Sequence, residues 1–119
     1  MIVTGQPRER SEWIGVGESR TRGSRVTDDQ GRPVSGVAVV TVDGLGEVWT
    51  DATVLVPDHL CEEILPGAVI DLSGNLVADL RGGDFGVIRK TVHGVEGVTV
   101  VGSLPDLLAA TGKKVTTNA

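Results

Sequence analysis

From Ile70 to Leu80 the chain alternates in the manner of a strand: Ile70, Leu72, Leu76, Ala78 and Leu80 fall on one face and Asp71, Ser73, Asn75 and Asp79 on the other. Side chains of an extended chain repeat every second residue, so the spacing predicts a half-buried antiparallel strand over 70–80. Gly74 interrupts its centre, and a missing side chain there predicts a bulge or sharp bend, as closing a small barrel requires. Composition points the same way. Twenty valines and 17 glycines stand against three aromatic residues, which describes short β-branched strands joined by tight turns, an all-β sandwich or barrel. At 119 residues the chain fits one domain with one modest core, read here as residues 1–111 followed by a flexible tail over 112–119.

Turn chemistry divides the rest. Residues 1–32 are polar and basic, with short apolar or extended stretches at Trp13–Val16 and Arg20–Val26 and no secure structure. Asp28–Pro33 is a strong turn signal before a strand over about Val37–Val42. Asp43-Gly44-Leu45-Gly46 offers two glycines for positive φ and predicts a hairpin into a strand over Val48–Val56. Pro57 stops that ladder and Asp58 is placed to cap a short helix over 58–65, with Leu60, Cys61 and Ile64 on the side that plugs the core, ended by Pro66-Gly67. After the 70–80 strand, Arg81-Gly82-Gly83-Asp84 turns the chain into a strand from Phe85 to about His93. Gly94 and Gly97 break it, Val98–Val101 resumes it, and Ser103-Leu104-Pro105 opens a helical turn through Ala110.

Chemistry finds little to work with. Cys61 is the one cysteine, which excludes an internal disulfide and gives His59 and His93 no thiolate partners for zinc; a reducing cytoplasm is the expected compartment. Asp58-His59 are chain neighbours that a helix would turn apart, no Walker lysine follows the glycine pairs, and Asp51, Asp71 and Asp79 read as acids on a solvated strand face. No enzymatic activity, metal or cofactor is expected. The N-terminal MIVTGQPRER has no apolar core of a signal peptide and no apolar run approaches spanning length, so neither secretion nor membrane insertion is expected.

Charge is unevenly spread. The net charge is −5, yet residues 1–32 carry six arginines against five acids, while the remaining eleven acids lie downstream with five basic residues. Screening lets a local arginine strip act on phosphates despite an acidic body. Trp49 adds a second cue. In strict alternation from Val48 to Val56 it shares a face with Asp51, Thr53 and Leu55, which makes it a flat aromatic on a partly wet surface, either a stacking platform or a cover for the open end of a small barrel.

Strand, strand, short helix, bent strand, long hairpin, strand is the Greek-key order of a five-stranded OB-like barrel, in which a short helix sits between the third and fourth strands. Over residues 47–103 the chain resembles the bacterial and phage-type single-stranded DNA-binding proteins. The features that carry the likeness are Trp49 ahead of Val54-Leu55-Val56, the segment Asp58–Ile64, the run Leu65-Pro66-Gly67-Ala68-Val69-Ile70-Asp71-Leu72-Ser73-Gly74-Asn75-Leu76, and the closing Gly97–Gly102. The resemblance implies that Trp49 stacks on bases, that the protein serves DNA replication or recombination, and that it assembles as a homo-oligomer. The tail Val115–Ala119 lacks the acidic, hydrophobic tip through which that family recruits replication partners, so no such recruitment is expected. The expectation is thus a non-enzymatic, sequence-tolerant binder of single-stranded nucleic acid. Trp49, Phe85 and Trp13 would stack on bases, and Arg20, Arg22, Arg25, Arg81, Arg89 and Lys90 would contact phosphates. The competing expectation is a protein-interaction module that uses the same barrel without nucleic acid.

Overall fold

The computed structural model describes residues 1–14, 21–82 and 88–105, without the side chains of residues 12–14 and 22. Among these residues the chain is mostly strand: β1 (Ile2–Val3), β2 (Arg8–Glu9), β3 (Ser11–Ile14), β4 (Thr21–Arg25), β5 (Val34–Val42), β6 (Val48–Pro57), β7 (Ala68–Gly82) and β8 (Ile88–Ser103). They form a mixed six-stranded sheet in the order β1-β7-β8-β6-β5-β2 and a separate two-stranded ribbon of β3 and β4. β5 and β6 are the expected hairpin, and β7 and β8 form a second, longer one. The two hairpins join through a parallel pairing of β6 with β8, Ala52 opposite Lys90 and Val54 opposite Val92. β1 pairs with β5 on one side and with β7 on the other, so the pairings run in a ring, β1-β5-β6-β8-β7-β1.

Inside that ring lie the β-branched side chains that composition promised. Val3, Val37, Val39, Ala52, Val54, Val56, Ala68, Ile70, Val92 and Val95 are buried together with Ile64 from the β6–β7 connection. Each such valine or isoleucine taken out of water contributes on the order of 1.5–3 kcal/mol before conformational entropy is set against it.

The expected helix over 58–65 does not form. A 3-10 turn at Asp58–Leu60 stands in its place, followed by further tight turns, with Cys61 N donating to Asp58 O at 3.1 Å, Ile64 N to Cys61 O at 3.0 Å and Ala68 N to Leu65 O at 3.0 Å. The reason lies in Asp58, whose carboxylate does not cap. Both its oxygens accept from Arg25 Nη2 at 3.0 Å, and Oδ1 also accepts from Ser35 Oγ at 2.8 Å. Gly67 N donates to Val3 O at 2.7 Å, which ties the end of the connection to β1. The plug itself survives: Ile64 is fully buried and Leu60 and Cys61 pack against the core. The count of five strands is also exceeded, since β2 extends the sheet beyond β5.

Gly74 marks a bend, as its lack of a side chain predicted, and it acts with Gly94. The two sit across the β7–β8 ladder with φ of 128° and 88°, where the register slips on both sides. A Cβ on Gly74 would collide with the Gly94 carbonyl oxygen and one on Gly94 with the Asn75 carbonyl oxygen. β8 therefore bends at Gly94 and runs on through Gly97 rather than breaking at either. Beyond the bend β7 leaves the core, and the expected half-buried face holds only for Ala68–Leu72; Leu76, Ala78 and Leu80 are exposed. At the other end Leu104 and Pro105 begin the expected helical turn. Its continuation through Ala110 and the tail 112–119 lie outside the described residues.

Candidate nucleic-acid interface

Because β6 and β8 run parallel, their first residues emerge at the same end of the ring, and the β5–β6 turn and the far end of the β7–β8 hairpin project there together. Trp49 stands at this mouth. Its face is not the one that strict alternation assigns. Val39 faces Ala52, but two residues on, Thr41 faces Trp49, so β6 carries one extra residue at Thr50-Asp51. Directly opposed residues share a face, and Thr41 is in phase with the buried Val39. The bulge thus returns the indole to the core-facing side, half-buried against the core cluster rather than beside Asp51 and Thr53. A large aromatic out of phase in an otherwise clean alternation was the sequence signal of that extra residue.

Two neighbours fix the ring. Trp49 Nε1 donates to Asp43 Oδ2 at 3.2 Å, and Lys90 Nζ lies 5.5 Å from the indole centroid, within cation–π range. Lys90 shares the core-facing side with Ala52, one turn of the pleat beyond Val92, so it too comes out at the mouth. Exposed Leu80 and Ile88 flank it on the same ribbon face. Asp43 is itself the organiser of the β5–β6 turn: Oδ1 accepts from Leu45 N at 2.8 Å and Glu47 N at 2.9 Å, and Gly46 takes the positive φ of 83°.

The hydrogen bond from Glu47 N is the main cause holding the Asp43 carboxyl below its ordinary range, against a smaller opposing effect of desolvation, with Leu45, Trp49 and Gly46 adding to the lowering. A depressed folded-state value means the turn is fully supported above the unfolded value of 3.8 and loses that support as pH falls through the folded one. Acidification below about pH 4 is therefore expected to change the Trp49 emission in a Trp13→Phe background before global unfolding, and Asp43→Asn to abolish that step. Identical acid titrations of the two proteins would count against the assignment.

The other expected phosphate contacts separate. Arg81 and Arg89 face each other across β7 and β8, exposed, on the ribbon face opposite Lys90. Neither makes a side-chain hydrogen bond or ion pair among the described residues. Arg25 is engaged within the fold: it holds Asp58, donates to Val34 O at 3.0 Å and lies 3.5 Å from Glu9, clasping β4 to the end of β6. The expected helix cap, Asp58, and the expected phosphate ligand, Arg25, are instead the two halves of one clasp. Trp13 and Arg22 are opposite each other in the β3–β4 register, their side chains outside the described set. Arg20 and Phe85 lie outside the described residues altogether.

A cleft of about 230 Å³ lies elsewhere, between the Asp28–Arg32 turn and Asp79, His93 and Glu96. Its charges answer one another. Arg32 Nε meets Asp28 Oδ2 at 2.7 Å and Arg32 Nη2 lies 3.8 Å from Glu96, while His93 Nε2 is 3.2 Å from Asp79 Oδ2 without a hydrogen bond. Among the described residues no group of three or more His, Cys, Asp or Glu side chains is placed to hold a metal ion, and no helix is long and apolar enough to cross a membrane. Compared with known proteins, the chain matches no family model, no curated protein and no solved structure.

Proposed function

We propose that this protein is a non-enzymatic, sequence-tolerant binder of single-stranded DNA, built on an OB-like barrel and acting in the cytoplasm in replication or recombination. The barrel reading is supported by the ring of pairings, by the parallel β6–β8 contact within it, and by the position of the Asp58–Ile64 plug between the strands that would be third and fourth. The function rests on one observation above the rest: Trp49 and Lys90 meet at the open end of the ring, half-buried, with the cation over the ring at 5.5 Å. A base stacks on the indole and a phosphate replaces the ring as the partner of Lys90. Arg89 and Arg81, on the reverse face of the same ribbon, take further phosphates as the strand passes around its end.

Oligo-dT titration at a series of salt concentrations tests this. Three cations on single-stranded DNA give a log–log slope of roughly −2, and Arg89→Ala with Lys90→Ala is expected to reduce its magnitude by about 1.4. Absence of binding at low salt, or a slope indifferent to the double substitution, would overturn the reading. The competing role as a protein-interaction module draws support from exposed Val42, Leu45 and Val48 around the same mouth. In that case the titration shows nothing.

A further inference from the structure

We propose that the free edge of β7 is a homodimer seam, on which a second copy of this chain pairs antiparallel about a two-fold axis at Leu76. β1 covers β7 only as far as Ile70, through Met1 N to Ile70 O at 3.0 Å and Ile70 N to Met1 O at 2.9 Å. From Asp71 to Gly82 that edge pairs with no other strand among the described residues, and every residue from Ser73 on is exposed. Leu76, Val77 and Leu80 are 40%, 45% and 61% exposed along it. A bare strand of this length with apolar side chains is a template for another strand.

The sequence of the edge selects its partner. Two copies related by a two-fold axis perpendicular to the sheet keep their faces, so only registers in which paired residue numbers have an even sum are allowed. Centring on Leu76 places Asp71 opposite Arg81 of the second copy, Leu72 opposite its Leu80, and Leu76 opposite its Leu76. Each pair is matched in face as well as in chemistry. Ile70 is buried and Leu80 shares the side of Lys90 and Ala52, so the leucines lie on the core-facing side and the charges on the outer one. Moving the centre to Asn75 sets Asp71 against Asp79; moving it to Val77 carries Asp71 past the end of the strand.

Two further facts favour this register. The bend at Gly74 falls in the middle, leaving the arms 71–73 and 79–81 as the segments that pair. Arg81 and Arg89 are directly opposed like charges, an arrangement that destabilises a ladder unless a counter-charge is supplied, and Asp71 of the second copy supplies it. With five donors, the Arg81 guanidinium meets Asp71 of the second copy and a phosphate together, beside Arg89 and Lys90.

Sedimentation equilibrium of the full chain without nucleic acid tests the seam. The wild type is expected to dimerise reversibly at micromolar concentrations. Asp71→Arg and Arg81→Glu each create two like-charge contacts per dimer and are expected to weaken association about tenfold or more, whereas the double reversal recovers it to within about threefold. Both residues are exposed, so folding is unaffected, which circular dichroism verifies. A wild type that stays monomeric at 100-fold higher concentration (on the order of 10⁻⁴ M, where even weak specific pairs associate) overturns the proposal. So does a dimer indifferent to both reversals, or one that the double reversal fails to restore. Because no DNA is present, failure here leaves the stacking site at Trp49 untouched.

Discussion

Gly94→Ala is expected to lower stability by about 3 kcal/mol, seen as a fall in melting temperature of roughly 10 °C in a domain of this size. Two costs add. At φ of 88° an L side chain is strained, and the new Cβ would press on the backbone carbonyl of Asn75 where β7 and β8 cross closely. Two other glycines calibrate the result. Gly46 has φ of 83° but nothing within 4 Å of an added methyl, so Gly46→Ala carries the conformational cost alone, about 1–2 kcal/mol. Gly82 has neither a positive φ nor a near neighbour, and alanine there is expected to be neutral or slightly stabilising. Equal effects at all three sites would refute the account of the bend as a close crossing of two backbones.

Trp49→Ala is expected to weaken oligo-dT binding roughly tenfold, within the ~1–3 kcal/mol that one base–aromatic stack contributes. The same change should lower stability by about 2 kcal/mol, less than the ~3–5 kcal/mol of a fully buried tryptophan, because only part of the indole lies against the core. Trp49→Phe separates the two roles. It keeps a stacking surface and most of the packing but loses the hydrogen bond to Asp43, so affinity should stay near wild type. Stability lost with affinity unchanged in the alanine variant would reduce Trp49 to a cover over the end of the core.

The strands were legible because their signals are local. The β5–β6 hairpin was bounded to within a few residues by Asp43–Gly46, and Gly74 announced its bend by lacking a side chain within a clean alternation. What escaped depends on partners distant in sequence. Asp58 looked like a cap because nothing adjacent to it reveals that Arg25, 33 residues away, will occupy both its oxygens. The face of Trp49 was misjudged because a bulge is a property of two strands, and its extra residue shows only when Val39 and Thr41 are set against Ala52 and Trp49. Leu76 and Leu80 carried the pattern of a core face, but the bend takes them out of the core that their spacing suits. At the site the sequence supplied Trp49 and Lys90 as separate members of one set of contacts, and only the parallel β6–β8 pairing brings them together.

The ring has a kinetic corollary. Its two hairpins bring together residues close in the chain, but the seam that joins Met1 to Ile70 spans 69 residues. Closing a loop of that length costs on the order of 4 kcal/mol in chain entropy, compensated by only a few hydrogen bonds along a two-residue strand. Assembly should therefore end with this seam, and partial opening should begin with it. Opening the ring bares Val39 and Val40 on β5 and extends the bare edge of β7 back to Val69, and such edges recruit other chains. The short strand Ile2–Val3 thus acts as a latch against aggregation, out of proportion to the little surface that it covers.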